Sequence, residues 1–130
     1  MNQKIQFGKA IEYKIASEML MEGYEIYLPA VDDHGVDIMA RTPNGNIVEV
    51  QVKAMSKSGL FAAINYNPRP NFYFVFYIES QDKTWILSSD DFTQNASRNN
   101  SGKNTGKYSI DIMAKKNQQF VKTNYSSKII

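Results

Sequence analysis

The spacing of apolar residues near the amino terminus has a helical period. Over residues 6–22 an apolar side chain recurs every four residues, and Gly23 follows the last of them. This pattern predicts an amphipathic helix with one apolar face, ending near the glycine. The residues of the apolar face are Phe7, Ile11, Ile15 and Met19.

The following segments instead alternate with a period of two. "VDIMART" and "NIVEVQVKA" flank Asn44 and Gly45, and an Asn-Gly pair between two alternating runs predicts a tight antiparallel hairpin. The predicted core face carries Val36, Ile38, Ala40, Val48, Val50 and Val52. Because side chains alternate along both strands, the opposite face carries Asp37, Glu49, Gln51 and Lys53.

The remaining patterns predict further strands and a second helix. "YEIYLPA" predicts a short strand before the hairpin, "FYFVFYI" a strand buried on both faces, and "KTWILS" a strand after it. "SSDDFTQNAS" opens with residues suited to a helix amino terminus, "RNNSGKNTGK" is a polar loop, and "YSIDIM" predicts another strand. "GLFAAI" fits either a short helix or a short strand. A further short helix is expected around residues 118–122.

Composition limits the class of protein. A chain of 130 residues with 42% hydrophobic content fills one core, so residues 1–130 are expected to form a single domain. The absence of cysteine excludes disulfides and thiolate metal sites, and a single histidine argues against a His-rich zinc site. Charged residues occur throughout the first helix, and the longest apolar run is too short to cross a bilayer. We therefore expect a soluble, cytoplasmic protein without a membrane segment.

Positive charge is concentrated at the end of the chain. Residues 96–130 contain Asp111 as their single acidic residue. This asymmetry indicates a basic C-terminal extension that faces a polyanion, although a solubilising surface would have the same composition. The basic residues of the extension are Arg98, Lys103, Lys107, Lys115, Lys116, Lys122 and Lys128.

The polar face of the predicted hairpin has the chemistry needed for phosphodiester hydrolysis. A hard divalent cation prefers oxygen ligands, which Asp37 and Gln51 offer, and it lowers the pKa of a bound water. Lys53 lies two residues after Gln51 on the same face, where an ammonium group stabilises developing negative charge. An alternating polar face is most often simply solvated, so the spacing alone is a weak signal.

"GVDIMA" followed by "VEVQVKA" resembles the core of the PD-(D/E)xK nuclease superfamily, which includes restriction enzymes and Holliday-junction resolvases. The resemblance covers about residues 5–90 and implies an α/β fold, in which a central mixed β-sheet is flanked by helices in the order αβββ(α)β. The family order of a helix glutamate, an aspartate and a (D/E)-x-K triplet is matched by Glu12, Asp37 and Gln51-Val52-Lys53. Gln51 departs from the usual acidic residue, although an amide oxygen can also bind a metal.

The resemblance implies a nuclease that depends on Mg²⁺, or alternatively on Mn²⁺, and acts on DNA. Asp37 and Gln51 would bind the metal, Lys53 would be the catalytic lysine, and Glu12 or Glu49 would compensate for the missing carboxylate. Gly8 and Ala16 allow the helix to approach the sheet closely near Glu12, whereas an ordinary solvated glutamate would pair with Lys9 or Lys14.

Other residues are candidates for nucleic-acid contacts. Tyr66 and Arg69 could stack on a base or touch a phosphate, and Lys103 and Lys107 are candidate phosphate contacts in the polar loop. His34 is a further candidate, although a loop histidine beside two aspartates is more often a turn residue. Each of these residues also has an ordinary structural interpretation as loop or surface.

Three functions remain at this point. The first is a divalent-metal-dependent endonuclease, working as a homodimer if both strands of a duplex are cut. The second is a catalytically inactive nuclease-fold module that binds DNA or a protein partner. The third, a purely structural domain, does not explain why Glu12, Asp37, Gln51 and Lys53 occur in this order. Substrate specificity lies in loops and assembly, and the sequence does not predict it.

Overall fold

A long amino-terminal helix covers one side of the molecule. The computed structural model describes residues 2–31 and 35–130, and in it α1 spans Gln3–Met21. The Asn2 side chain caps α1 by accepting a hydrogen bond from the Ile5 amide at 2.9 Å, and Gly23 follows with a φ of 95°. The predicted helix is therefore confirmed, with an earlier start. Within the described ranges, no helix has both the length and the apolar character needed to cross a bilayer.

The strands form two sheets. A five-stranded sheet has the order β1-β2-β3-β5-β6, and a three-stranded sheet has the order β4-β8-β7. A second helix, α2 (Ser89–Asn95), begins with a capping box between Ser88 and Asp91, as the sequence predicts. In chain order the strands are β1 Glu25–Tyr27, β2 Ile38–Arg41, β3 Ile47–Met55, β4 Leu60–Ile64, β5 Phe72–Ile78, β6 Lys83–Ser88, β7 Ser97–Arg98 and β8 Tyr108–Asp111.

The five-stranded sheet is mixed. Strands β2 and β3 form the predicted antiparallel hairpin, with Ile38 opposite Val50, whereas β3 and β5 run parallel, with Gln51 opposite Phe74. The prediction of a mixed central sheet flanked by helices is confirmed. The connection from β3 to β5 contains β4, so "GLFAAI" forms a strand and not the crossover helix that the family pattern allows.

Each face of the central sheet is covered by a different layer. Helix α1 packs on the face that carries Val48 and Val50, and the three-stranded sheet packs on the face that carries Phe72, Phe74 and Phe76. Strand β5 is therefore buried on both sides, as its unbroken apolar sequence predicts. The polar row of β3 lies on the side of the three-stranded sheet, because Gln51 is in register with Phe74.

Parts of residues 96–130 are built into the core, whereas the β7–β8 loop within this range is largely exposed. Tyr125 and Ile129 are fully buried in the cluster beneath α1. The Glu22 carboxylate accepts hydrogen bonds from the backbone amides of Tyr125 and Ser126, at 2.9 and 3.0 Å. Two of the basic side chains in this region are paired, Lys122 with Glu18 at 3.9 Å and Lys128 with Asp91 at 2.6 Å. Only part of the positive charge of this segment is therefore available to a polyanion.

The contact between α1 and the C-terminal segment predicts a pH-dependent stability. Burial raises the pKa of Glu18, but hydrogen bonds from Lys14 and Tyr125 and the charge of Lys122 outweigh it and leave this pKa below its ordinary value. Such a group stabilises the fold above its unfolded-state pKa, and this stabilisation is lost as the pH falls through the folded-state pKa. Glu18→Gln should lower the free energy of unfolding by about 1 kcal/mol near pH 7 and by less near pH 3.

Urea unfolding of the wild type and the Glu18→Gln variant at these two pH values measures the difference. Glu79→Gln, which changes an exposed carboxylate in the turn after β5, is the matched control. An equal loss of stability at both pH values for the Glu18 variant would show that the charge of Glu18 does not hold the C-terminal segment.

Candidate active site

Asp37 is hydrogen-bonded to strand β3 through both its backbone and its side chain. Its backbone amide donates to the Val50 carbonyl at 2.9 Å, and its carboxylate Oδ2 accepts a hydrogen bond from the Val52 amide at 2.8 Å. Val50 and Val52 flank Gln51, and Val52 lies between Gln51 and Lys53 in the chain. The Asp37 carboxylate therefore lies against the backbone of β3 at Val52, the residue between Gln51 and Lys53, although Asp37 is not among the residues that line the adjoining cleft.

Gln51 lies directly against the turn before Asp37. Gly35 has a φ of 73°, and a Cβ placed on it would be 3.2 Å from Gln51 Nε2 and 3.3 Å from Oε1. A side chain at position 35 would be strained in this backbone conformation and would press on the Gln51 amide. The glycine thus allows the turn to pack on Gln51, which keeps this amide beside the backbone that leads into Asp37.

Lys53 projects from the same face of β3 as Gln51. It is half-buried and in register with Phe76 of β5. Within residues 2–31 and 35–130 no carboxylate lies within ion-pair distance of its ammonium group. The positive charge of Lys53 is therefore not neutralised by any described side chain.

An open cleft of about 910 Å³ runs between the polar row of β3 and the edge of the three-stranded sheet. The floor belongs to β3, and the opposite wall belongs to β4 and to the loop between β7 and β8. The predicted site residues Gln51 and Lys53 both line this cleft. Its other polar or charged lining includes Glu49, Tyr66, Arg69 and Arg98.

Glu49, a predicted metal ligand, forms an ion pair at the end of the polar row. Arg69 Nε donates to Glu49 Oε1 at 2.9 Å, and the Arg69 guanidinium lies 4.1 Å from the centroid of the Phe72 ring. Arg69 also donates to the Asn67 carbonyl at 3.2 Å. One oxygen of Glu49 is thus held by a cation, and Arg69, a predicted nucleic-acid contact, lies in the cleft wall.

Glu12 lies on α1, which packs on the face of the sheet opposite the polar row of β3. Its side chain is 19% exposed, and its Oε1 accepts a 3.2 Å hydrogen bond from the Lys9 ammonium group. Lys9 is one of the two partners expected for an ordinary helix glutamate. The hydrogen bond and charge of Glu12 raise the pKa of Lys9, and the negative charge of Asp37 adds a smaller contribution. Glu12 does not line the cleft, but its partner Lys9 lies within electrostatic reach of Asp37.

Tyr66 is an aromatic anchor in the wall of the cleft. Its ring packs within 6 Å of four other rings, and its hydroxyl is hydrogen-bonded to Ser89. These contacts fix the segment that precedes Arg69. The four rings belong to Phe72, Phe74, Phe92 and Tyr108.

The basic residues of the polar loop fall in different places. Lys103 is exposed near the tip of the β7–β8 loop and Lys107 is half-buried at its base, and neither lines the cleft. Arg98, which the sequence did not single out, does line it. The sequence signal for Arg98 was its place as the first cation of the basic segment. His34 lies outside the described residues.

The oxygen donors that the predicted metal site offers are one carboxylate and one amide. Within the described ranges, no three acidic or histidine side chains cluster closely enough to enclose a metal ion. Mg²⁺ does not need such a cage, because it keeps several waters and is commonly held by one or two carboxylates together with substrate phosphate. Asp37 and the side-chain oxygen of Gln51 would be its protein ligands, and Glu49 lines the same cleft as Gln51.

Comparisons with known proteins identify a similar fold. No family model matches the sequence, and no curated protein matches it. The solved structure of a bacterial homing endonuclease, I-Ssp6803I, is similar over 83% of this chain and 89% of that chain, with a TM-score of 0.58 and 17% sequence identity. The chain therefore has a nuclease-like mixed α/β fold, shared with a protein described as a homing endonuclease.

Proposed function

We propose that this protein is a divalent-metal-dependent endonuclease that hydrolyses phosphodiester bonds in DNA, and that it is a PD-(D/E)xK enzyme with glutamine at the second acidic position. One observation carries the proposal. The Asp37 carboxylate is hydrogen-bonded to the Val52 amide, between Gln51 and Lys53, on a cleft-facing strand. The fold shared with a homing endonuclease supports the same conclusion.

The proposed roles follow from the chemistry of each side chain. Asp37 and Gln51 would hold Mg²⁺ or Mn²⁺, which supplies Lewis acidity and lowers the pKa of a bound water. Lys53 donates hydrogen bonds to a phosphate oxygen as negative charge develops there. Arg69 holds Glu49, and the aromatic contacts of Tyr66 keep the segment before Arg69 in the wall of the cleft. Glu12 would contribute negative charge to the site from α1.

DNA would lie along the cleft and across the β7–β8 loop. Lys103 and Lys107, which lie on this loop outside the cleft, are proposed to contact phosphates of the DNA beyond the segment held in the cleft. Each chain has one copy of the proposed site, so cutting both strands of a duplex would require two copies, and a homodimer would provide them.

Cleavage assays with a Lys53→Ala variant test the proposal. Plasmid, branched and single-stranded DNA are incubated with wild-type protein in Mg²⁺, in Mn²⁺ and in a chelator. We expect cleavage by the wild type only with metal, and a loss of about 100-fold or more in the variant, since removal of one group that stabilises transition-state charge costs this much. Full activity of Lys53→Ala, or activity in the chelator, would contradict the proposed mechanism.

A binding module without catalytic activity is the second candidate. It is favoured by the scarcity of carboxylates, because glutamine replaces one ligand and Arg69 engages one oxygen of Glu49. The cleavage assay, combined with a gel-shift experiment, separates the two functions. A binding module would retard DNA in the gel shift and leave it uncut under every metal condition.

A further inference from the structure

The β7–β8 loop is a hydrogen-bonded hairpin that forms the wall of the cleft opposite β3. The Asn99 amide donates to the Lys107 carbonyl at 2.9 Å, and the Gly106 amide donates to the Asn99 carbonyl at 2.8 Å. Nearer the tip, the Thr105 amide donates to the Gly102 carbonyl at 3.2 Å. These bonds extend the pairing of β7 with β8, so the hairpin presents its base to the cleft in a defined geometry.

Arg98 stands at the base of this hairpin and is oriented by it. Its Nε donates to the Gly106 carbonyl at 3.4 Å, and its guanidinium carbon lies 5.6 Å from the centroid of the Tyr108 ring. The Gly106 carbonyl thus binds Nε, and the Tyr108 ring lies against one face of the guanidinium. The two terminal nitrogens make no hydrogen bond or ion pair with any residue in the described ranges. The two terminal nitrogens of the Arg98 guanidinium are therefore available to donate hydrogen bonds to a ligand in the cleft.

The three cations that line the cleft differ in their partners. Arg69 forms an ion pair with Glu49 through its Nε, whereas Lys53 and Arg98 have no carboxylate partner among the described residues. Lys53 lies on the floor and Arg98 on the opposite wall. Lys53 and Arg98 therefore face the same cleft, and a DNA strand lying along this cleft would meet both cations.

We propose that Arg98 binds a backbone phosphate of the DNA strand held in the cleft, close to the phosphate contacted by Lys53; this rests on the proposed function. A guanidinium fork fits phosphate with two parallel hydrogen bonds. The edge of guanine offers arginine a similar pair of acceptors. Phosphate is the better match here, because the residues facing Arg98 across the cleft are those proposed to act on the sugar–phosphate backbone.

The test is DNA binding measured without catalysis. Fluorescence anisotropy in a chelator follows binding of labelled duplexes and single strands of several sequences, each at a series of salt concentrations. Arg98→Ala should weaken binding by on the order of tenfold on every sequence, and it should reduce the salt slope by about one. Arg98→Lys keeps the charge but loses the planar fork, so it should keep the slope and recover part of the affinity.

Lys83→Ala is the charge-matched control. It removes one positive charge from the exposed start of β6. Strand β6 is one edge of the five-stranded sheet, and β1 is the other. This control should bind like the wild type, and thermal unfolding should show that all variants are folded. Unchanged binding by Arg98→Ala, equal weakening by Lys83→Ala, or a loss confined to guanine-containing sequences would each overturn the proposal. The two tests are independent because this one measures binding and the Lys53 assay measures cleavage. Weaker binding by Arg98→Ala would support the Arg98 proposal even if the protein cut no DNA. Unchanged binding by Arg98→Ala would leave the proposed nuclease activity intact.

Discussion

Asp37→Asn is expected to abolish metal-dependent cleavage and to weaken Mn²⁺ binding by roughly 10- to 100-fold, because it replaces the charged ligand of the proposed site with a neutral amide. The asparagine side chain has nearly the same shape and keeps an oxygen that accepts the hydrogen bond from the Val52 amide. The negative charge is what the substitution removes. Titration calorimetry with Mn²⁺ and a plasmid cleavage assay measure the two losses.

Asp37→Ala separates the structural role of Asp37 from its role as a ligand. Alanine leaves the Val52 amide without its acceptor, so this variant should also lose about 1–3 kcal/mol of stability, which Asp37→Asn should largely retain. Urea unfolding measures this difference. If Asp37→Asn bound Mn²⁺ as tightly as the wild type, Asp37 would be a structural residue of the hairpin and the metal site would lie elsewhere.

Gln51→Leu is expected to eliminate detectable cleavage while leaving the protein folded. Leucine is similar in size but has no oxygen to ligate a cation, and position 51 faces the open cleft, where an apolar side chain is tolerated. The loss should therefore appear in cleavage and in Mn²⁺ affinity and be absent from the thermal unfolding curve.

Gln51→Glu is the matched variant for this position. It restores the carboxylate found in most members of the superfamily that the sequence resembles, so divalent-ion affinity should rise and cleavage should survive or improve. The added charge lies beside Lys53, which offsets it when no metal is bound. Indifference of metal affinity and cleavage to both substitutions would place Gln51 outside the site and would favour the binding-module function.

Local patterns predicted most of the elements, because their causes are local. Periods of four and of two identify α1 and the β2–β3 hairpin, and the Asn-Gly turn fixes which residues face each other. Strand β4 was ambiguous for a physical reason. Ala63 has a φ of 56°, and the pairing of β4 with β8 shifts register between Phe61 and Ile64, so the alternation that marks a strand is interrupted.

The site was predictable where it depends on one hairpin and unpredictable where it depends on the contact between sheets. Alternation alone puts Gln51 and Lys53 on one face and Asp37 beside them. The Glu49–Arg69 pair joins residues twenty positions apart across a crossover, and Arg98 reaches the cleft because β8 pairs with both β4 and β7. Such contacts follow from the stacking of the second sheet on β5, which no periodicity encodes.

The most direct test of the proposed metal site is the line broadening that Mn²⁺ causes in the backbone amide NMR spectrum of the isotope-labelled protein. A paramagnetic ion broadens the signals of nearby amides first, and the readout does not require activity. The first signals to broaden should belong to Asp37, Ile38, Gln51, Val52 and Lys53, and Asp37→Asn should remove the effect. First broadening at Glu22 and Glu25, at the other end of the β1–β2 pair, or the same pattern in Asp37→Asn, would contradict the proposed site.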